Sequence, residues 1–336
     1  MKHRTIPIFI PEVSCPNQCI YCNQRVISGQ QQMPSDEEIT ATIETYASTF
    51  DDDTFVEIGF FGGNFTGIPF PEQKRLINLV KPLFSRYKIQ GIRLSTRPDY
   101  ITPEIVSFLK DNGVTVIELG VQSLDDGVLL NVQRGYTSRQ VFEAAEIING
   151  SGIELGMQMM LGLPGDTAEK AYRTAQQIVG SGARNTRIYP TLVVQHTRLA
   201  EMYRAGEYRP LSLDEAVMQT KSILYLFETS GITVLRVGLH PTEGFVSGTD
   251  YLAGPFHVAF KEMVQTEIWH DILSEIDVPA SEITIHVPER QINAAVGHKG
   301  KNKKMLLGRY RTVQFVPDRN LDMYAFRAEK KITGTQ

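Results

Sequence analysis

The sequence predicts an α/β chain: a partial (β/α)6 TIM-type barrel followed by a small α+β module. Short β-rich runs alternate with capped amphipathic stretches through the first 240 residues, as repeated βα units with a parallel sheet require. A glycine- and proline-rich passage at 238–255 then breaks the pattern, and strand, helix, Gly-x-x-Gly, helix and strand follow it. The length, 336 residues with 42% hydrophobic, suits one large domain plus a small one. The expected division is 1–240 barrel, 241–255 linker or active-site cover, and 256–330 module.

Barrel strands are expected at 6–10, 55–61, 91–95, 115–121, 154–161 and 186–192, runs rich in branched and aromatic residues. Helix starts lie between them. Ser35 with Glu38, Thr137 with Gln140, Asp166 with Glu169, and Ser212 with Glu215 have the spacing in which a cap and a side chain three residues on satisfy each other's N–H groups. Thr102 caps a helix with Pro103 at its first position. Asn112-Gly113 and Gly150-Ser151-Gly152 supply stops. Ile39, Ile43 and Tyr46 share one helical face, as do Val141, Ala145 and Ile148. In such a barrel chemistry is expected at the carboxyl ends of the strands.

Composition narrows the class. The ordinary apolar fraction excludes wholesale disorder. No apolar stretch approaches the roughly 20 residues of a membrane helix, and Pro11 and Glu12 arrive too early for a signal peptide. A cytoplasmic chain with no membrane partner is therefore expected. The net charge of −4 is not that of a nucleic-acid protein as a whole, and no DNA partner is expected, but an average can hide a basic patch.

The chain's three cysteines, Cys15, Cys19 and Cys22, all lie within one short loop after the first strand. A disulfide framework prefers an even number and a secreted context. Tetrahedral zinc needs a fourth ligand, and the nearest histidine, His3, precedes the first strand. Thiolates at C-x3-C-x2-C suit a [4Fe–4S] cube held at three corners. The fourth iron is then open to chelate a small molecule through an amine and a carboxylate. With Tyr21 preceding the third cysteine, the loop resembles the signature of the radical S-adenosylmethionine enzymes. The resemblance implies a [4Fe–4S] cluster and S-adenosylmethionine as cofactors. It also implies a flavodoxin- or ferredoxin-like electron donor and reductive cleavage to a 5′-deoxyadenosyl radical that takes hydrogen from a substrate.

Further motifs fall at the strand ends. Gly62-Gly63-Asn64 resembles the Gly-Gly-Glu element whose backbone holds the methionyl amine, with Asn64 in place of glutamate. Arg97 and Asp99 read as a loop-stabilising pair, and Arg134 as a clamp for the methionyl carboxylate. The methionines of Met157-Gln158-Met159-Met160 read as core or pocket wall. Taken in order, Thr-Arg-Pro-Asp-Tyr (96–100), Glu-Leu-Gly-Val-Gln-Ser (118–123), Arg134-Gly135, Met-Met-Leu-Gly-Leu-Pro-Gly (159–165), Ile-Tyr-Pro-Thr-Leu-Val (188–193) and Gly-Glu-Tyr-Arg-Pro (206–210) resemble the Elongator catalytic-subunit group. That resemblance covers about residues 5–240. It implies that Gln122, Arg134 and Gln158 line the S-adenosylmethionine site, with Gly162 near the adenosyl moiety.

The roughly 95 residues after position 240 are too few for the acetyltransferase-like domain of that group, so uridine carboxymethylation by that route is not expected. With no spare cysteine, methylthiolation through a second cluster and cysteine-relay methyl transfer are not expected either.

In the C-terminal part, helices are expected at 258–273, 291–296 and 301–310 and strands at 282–287 and 312–316. The loop Gly297-His298-Lys299-Gly300, followed by Lys301, Lys303 and Lys304, resembles the KH signature, which clamps a nucleic-acid backbone. From Arg290 to Arg311 there are seven Lys/Arg and no Asp/Glu, against the overall sign of the chain. His286 reads as structural, and His240, at the end of a possible strand 232–239, as a residue that could face the pocket. The expected function is thus RNA modification, of tRNA or rRNA. The alternatives are a small-molecule radical enzyme of the coproporphyrinogen-dehydrogenase type, sharing the Gly-Val-Gln and Gly-Leu-Pro elements, and a non-catalytic binding module, which the cysteine triad disfavours.

Overall fold

The structure is a computed structural model that describes residues 2–11, 19–23, 26, 32–51 and 53–331. The barrel strands are β1 (Lys2–Ile10), β2 (Thr54–Gly62), β3 (Ile89–Thr96), β4 (Val114–Gln122), β5 (Glu154–Leu161), β6 (Asn185–Pro190) and, after the short β7 (Val193–Val194), β8 (Thr233–Val237). They form one seven-stranded sheet in the order β1-β2-β3-β4-β5-β6-β8, with every neighbouring pair parallel. The partial barrel thus stands, extended beyond its six units by β8, which falls on the possible strand at 232–239.

Helices at Asp36–Ala47, Phe70–Val80, Pro103–Asp111, Ser138–Ser151, Ala168–Gly180 and Leu213–Thr229 bury an apolar face in the same core as the sheet. Ile39 and Ile43 are fully buried, as are Val141 and Ile148, the faces that helical spacing marks, but Tyr46, expected on the first of them, is exposed in the last turn of its helix. Three capping boxes form, at Ser35/Glu38, Thr137/Gln140 and Ser212/Glu215. The fourth expected cap does not. Thr167 caps the helix Ala168–Gly180, accepting from Lys170 N at 3.2 Å, while Asp166 accepts from Gly162 N at 3.0 Å and Thr167 N at 2.9 Å. The turn at Gly162–Gly165 leaves an N–H without a strand partner, and the Asp166 carboxylate answers it.

Within the passage expected as linker or cover, the helix Glu243–Ser247 precedes β9 (Tyr251–Ala253), which pairs antiparallel with β7. Phe245, Tyr251 and Phe256 stack with centroids 5.6–6.0 Å apart. Val26, from beyond the cysteine loop, packs against this cluster.

The helix Phe260–Ser274 buries Phe260, Val264, Ile268, Trp269 and Leu273. One flank touches the barrel helix Leu213–Thr229, and the other touches the helices Ile292–Val296 and Lys301–Leu307. Burial on both flanks explains why this helix shows no single apolar stripe. Those two short helices cross from β10 (Glu282–Pro288) to β11 (Thr312–Asp318), which pair in parallel; β12 (Arg327–Lys330) lies antiparallel on the other edge of β10. Strand β12 was not anticipated.

Candidate functional site

The cysteine loop leaves β1 at the carboxyl ends of the barrel strands. Cys19 is buried and Cys22 half-buried; Cys15 lies outside the described residues. A turn closes with Cys22 N donating to Cys19 O at 2.9 Å. Two backbone bonds fix it: Ile20 N to Val132 O at 3.3 Å, and Leu199 N to Ile20 O at 2.7 Å. Cys19, Ile20 and Tyr21 pack with Val132, Leu163 and Leu199 in a satellite core. Among the described residues no three His, Cys, Asp or Glu side chains gather as a metal-ligand set.

Gly62-Gly63-Asn64 ends β2 beside the start of that loop. A Cβ at Gly62, whose φ is +103°, would lie 2.6 Å from Ile10 O; one at Gly63 would lie 2.8 Å from Pro11 O. Glycine is required because β1 runs past at backbone contact. Asn64 is buried, and its Oδ1 accepts from Thr96 Oγ1 at 2.6 Å and Arg97 N at 3.1 Å, joining the ends of β2 and β3.

Arg134 comes closest to the thiols. Its Nη1 donates to Cys19 Sγ at 3.2 Å and to Tyr21 Oη at 3.3 Å, its Nη2 to Gly120 O at 2.6 Å, and its Nε to Tyr136 Oη at 2.8 Å. It forms no ion pair with a carboxylate among the described residues, although it is buried. Burial works against its charge, but Tyr136, Tyr21 and Cys19 more than offset that and hold it firmly cationic. Burial also pushes the Tyr21 phenol up. Arg97, in contrast, is paired bidentately with Asp99 at 2.9 Å, the loop-stabilising pair the sequence suggests, and donates to Arg134 O at 2.6 Å. The two guanidinium groups lie over the Tyr136 ring at 5.2 and 4.9 Å.

Gln122 ends β4 at φ +67°, and its Oε1 is buried without a partner among the described residues; so is Arg97 Nη1. Gln158 is engaged: its Nε2 donates to Glu118 Oε2 at 2.8 Å and to Ser95 Oγ at 3.2 Å. Gly162 accepts at its carbonyl from Tyr208 Oη at 2.6 Å.

Sequence reasoning missed the polar interior behind these groups. Arg93 bridges Glu57 at 2.5 Å and Glu118 at 2.9 Å, and Arg187 grips Glu118 with two bonds at 2.6 and 2.9 Å. Burial would raise the Glu118 carboxyl, but Arg187 and Arg93 outweigh it and hold it below the usual range. The available signal was a charge in the middle of strands that are otherwise apolar, at Glu57, Arg93, Glu118 and Arg187.

Residues 10–178 match the Radical SAM superfamily, half of the chain, and residues 184–270 match the Radical_SAM C-terminal domain. The chain belongs to the radical SAM superfamily. This radical SAM enzyme is 29% identical over 136 residues to the tRNA uridine(34) acetyltransferase of Methanocaldococcus infernus, covering 40% of this chain and 26% of that protein. It is 33% identical over 142 residues to Elongator complex protein 3 of Saccharomyces cerevisiae, covering 41% and 26%. The match thus spans about a quarter of the length of these two relatives. The archaeal Methanocaldococcus infernus Elp3 shares the fold, with a TM-score of 0.65 at 19% identity over 79% of this chain and 62% of that one. The Elongator-like relationship expected from the motifs is thus borne out.

The superfamily's cofactors are a [4Fe–4S] cluster and S-adenosylmethionine, and the residues present fit both. A buried guanidinium without a carboxylate, hydrogen-bonded to a cysteine sulfur, suits an anionic thiolate-bound cluster. An unpartnered buried acceptor on Gln122 and donor on Arg97, at adjacent strand ends, suit an amine and a carboxylate.

The Gly-x-x-Gly loop lies against the helix Phe260–Ser274. His298 N donates to Thr266 Oγ1 at 2.7 Å, and Asn302 Nδ2 to Thr266 O at 3.1 Å. Lys299 and Gly300 both take positive φ. His298 faces Glu262 at 3.4 Å and Lys301 pairs with Glu267 at 2.5 Å, so part of the basic run is neutralised. Lys299, Lys303 and Lys304 are exposed and form no ion pair among the described residues. The His298 ring lies edge-on to His257, centroids 5.8 Å apart. His257 in turn lines a small cavity with Pro190 at the end of β6 and with Gly238 and Leu239 beyond β8. His240 instead meets Arg236 Nη1 at 3.3 Å. Among the described residues no helix is long and apolar enough to cross a membrane.

Proposed function

We propose that Cys15, Cys19 and Cys22 hold the [4Fe–4S] cluster and that this enzyme modifies RNA, with tRNA favoured, in the cytoplasm. When bound, the cofactors supply a one-electron cleavage whose product removes a hydrogen atom from the substrate. The chain's own residues bind and orient. The Gly62-Gly63 backbone and Asn64 form the wall beside the methionyl amine, and Gln122, Arg134, Gln158 and Gly162 line the remainder of the S-adenosylmethionine site. Tyr21 and the satellite core keep water from the cysteine loop. Gly297 and Gly300 allow an RNA backbone close approach, and Lys299, Lys303 and Lys304 neutralise its phosphates, with His298 and Lys301 at the edge of the contact.

The observation that carries the RNA reading is juxtaposition. The Gly-x-x-Gly loop stands one imidazole, His257, away from a small cavity beside the ends of β6 and β8. A single strand held at the loop therefore has a short path to the strand ends. The names of the tRNA-acting relatives support the same substrate class. Mass spectrometry of tRNA and rRNA nucleosides from a strain lacking the gene tests it. Loss of one modified nucleoside is expected; an unchanged profile in both RNA classes leaves the small-molecule alternative.

A further inference from the structure

We infer that Arg236 and His240, with the Tyr189 hydroxyl, bind a phosphate group of the substrate at the edge of the barrel. Strand β8 pairs only with β6, so it ends the sheet among the described residues. Arg236 lies in register with Arg187, and laterally paired residues of parallel strands point to the same face. Arg187 grips Glu118 in the barrel interior, so the half-buried Arg236 is directed inward as well. Its Nη1 meets His240 Nδ1 at 3.3 Å, just past the end of β8. A guanidinium only donates, so Nδ1 is the acceptor and the imidazole proton sits on Nε2. Burial and the Arg236 charge both push the His240 pKa down, which favours this neutral form. Tyr189 follows Arg187 on the same face of β6 and accepts from its guanidinium, so its own O–H remains a donor. Burial pushes that phenol up and keeps it protonated.

The three groups therefore offer N–H, N–H and O–H donors beside one fixed cation. An anionic ligand made only of acceptors answers them; a base edge or a sugar, which mixes donors with acceptors, does not. Position favours phosphate among such anions. Gly238 and Leu239, which separate Arg236 from His240, line the small cavity that His257 shares, and the His257 ring faces His298 of the Gly-x-x-Gly loop. A phosphodiester strand leaving that loop reaches Arg236 next. The inference extends the RNA reading to a second contact, but its chemistry stands without it, since a phosphorylated small molecule carries the same group.

The test uses the full-length protein and two probes. One is the affinity for a single-stranded oligouridylate across salt concentrations. The other is the broadening of the phosphorus resonance of inorganic phosphate. Arg236→Gln should weaken oligouridylate binding about tenfold and lower the slope of log affinity against log salt by about 0.7, one phosphate contact on a single strand. His240→Ala, which removes a neutral donor, should weaken binding about threefold at unchanged slope. Both should reduce the phosphate broadening. If the broadening falls while oligouridylate binding stays at the wild-type level, the phosphate site stands and the RNA reading is what fails here. If both probes match wild type, or if Arg236→Gln weakens binding with no change in slope or broadening, the inference is overturned. Should thermal unfolding show that Arg236→Gln does not fold, His240→Ala, at an exposed side chain, decides alone: wild-type behaviour with both probes overturns it.

Discussion

Asp166, half-buried in the turn after β5, and Glu118, buried in the barrel interior, are carboxyls whose environments drive them in opposite directions. Asp166 has only backbone N–H groups and the more distant Lys170 to offset its burial, which raises its pKa to about 6. Folding therefore favours its protonated form. That stability is complete below the ordinary carboxylate value and is lost as the pH rises through about 6. Urea unfolding across pH 4 to 8 should show wild type losing about 2 kcal/mol relative to Asp166→Asn, a figure discounted for partial solvation. A pH-independent difference would contradict this. Glu118, held low by Arg187 and Arg93, has the opposite sign: its contribution is present above the ordinary value and lost as the pH falls. Neither behaviour was legible from the sequence. Asp166 resembles a helix cap in spacing alone, and only the turn at Gly162 shows which N–H groups it serves. Gly62 and Gly63 were legible as close-approach glycines, although what approaches is the chain's own Ile10 and Pro11. Gly62→Ala should cost about 1–3 kcal/mol in thermal or urea unfolding, from strain at positive φ against a backbone oxygen; a neutral change would remove the argument for glycine there.

At the scale of elements, the helix starts were the most legible feature, because a cap and its partner lie three residues apart and need nothing distant. Ser212→Ala should accordingly cost about 1 kcal/mol, read from the urea midpoint. The strands were legible as existing but not as to what their interior faces hold. Glu57, Arg93, Glu118 and Arg187 become a network only once β2, β3, β4 and β6 curl around a common interior. Glu118→Ala removes the carboxylate shared by the buried Arg93 and the half-buried Arg187, and a loss of about 3–5 kcal/mol is expected. An effect below about 1 kcal/mol would mean that solvent already reaches the network. The seventh strand was legible only as a possible strand at 232–239, because β8 is short and Val237 is its one buried residue, a weaker pattern than the six before it.

Across the whole molecule, one hydrophobic core runs from β1 through Trp269 to β11. The division of the sequence near residues 241–255 therefore separates stretches of chain that still share packing. This continuity makes the Gly-x-x-Gly loop a fixed distance from the barrel mouth, a relation absent from any single stretch of sequence. If RNA lies along it, Lys299→Glu, Lys303→Glu and Lys304→Glu together should weaken retention of single-stranded RNA. The slope of log affinity against log salt should fall by about 2, as for three phosphate contacts on a single strand. Unchanged retention and slope would remove the RNA contact from this surface. The central claim is the cluster held by the cysteine trio, and its most direct test is anaerobic reconstitution of wild type, Cys19→Ala and Cys22→Ala, with iron, absorbance and 5′-deoxyadenosine measured on each. Wild type should become brown and release 5′-deoxyadenosine under reductant, while both variants remain folded and do neither. Variants that retain the cluster and cleave S-adenosylmethionine like wild type would contradict the account.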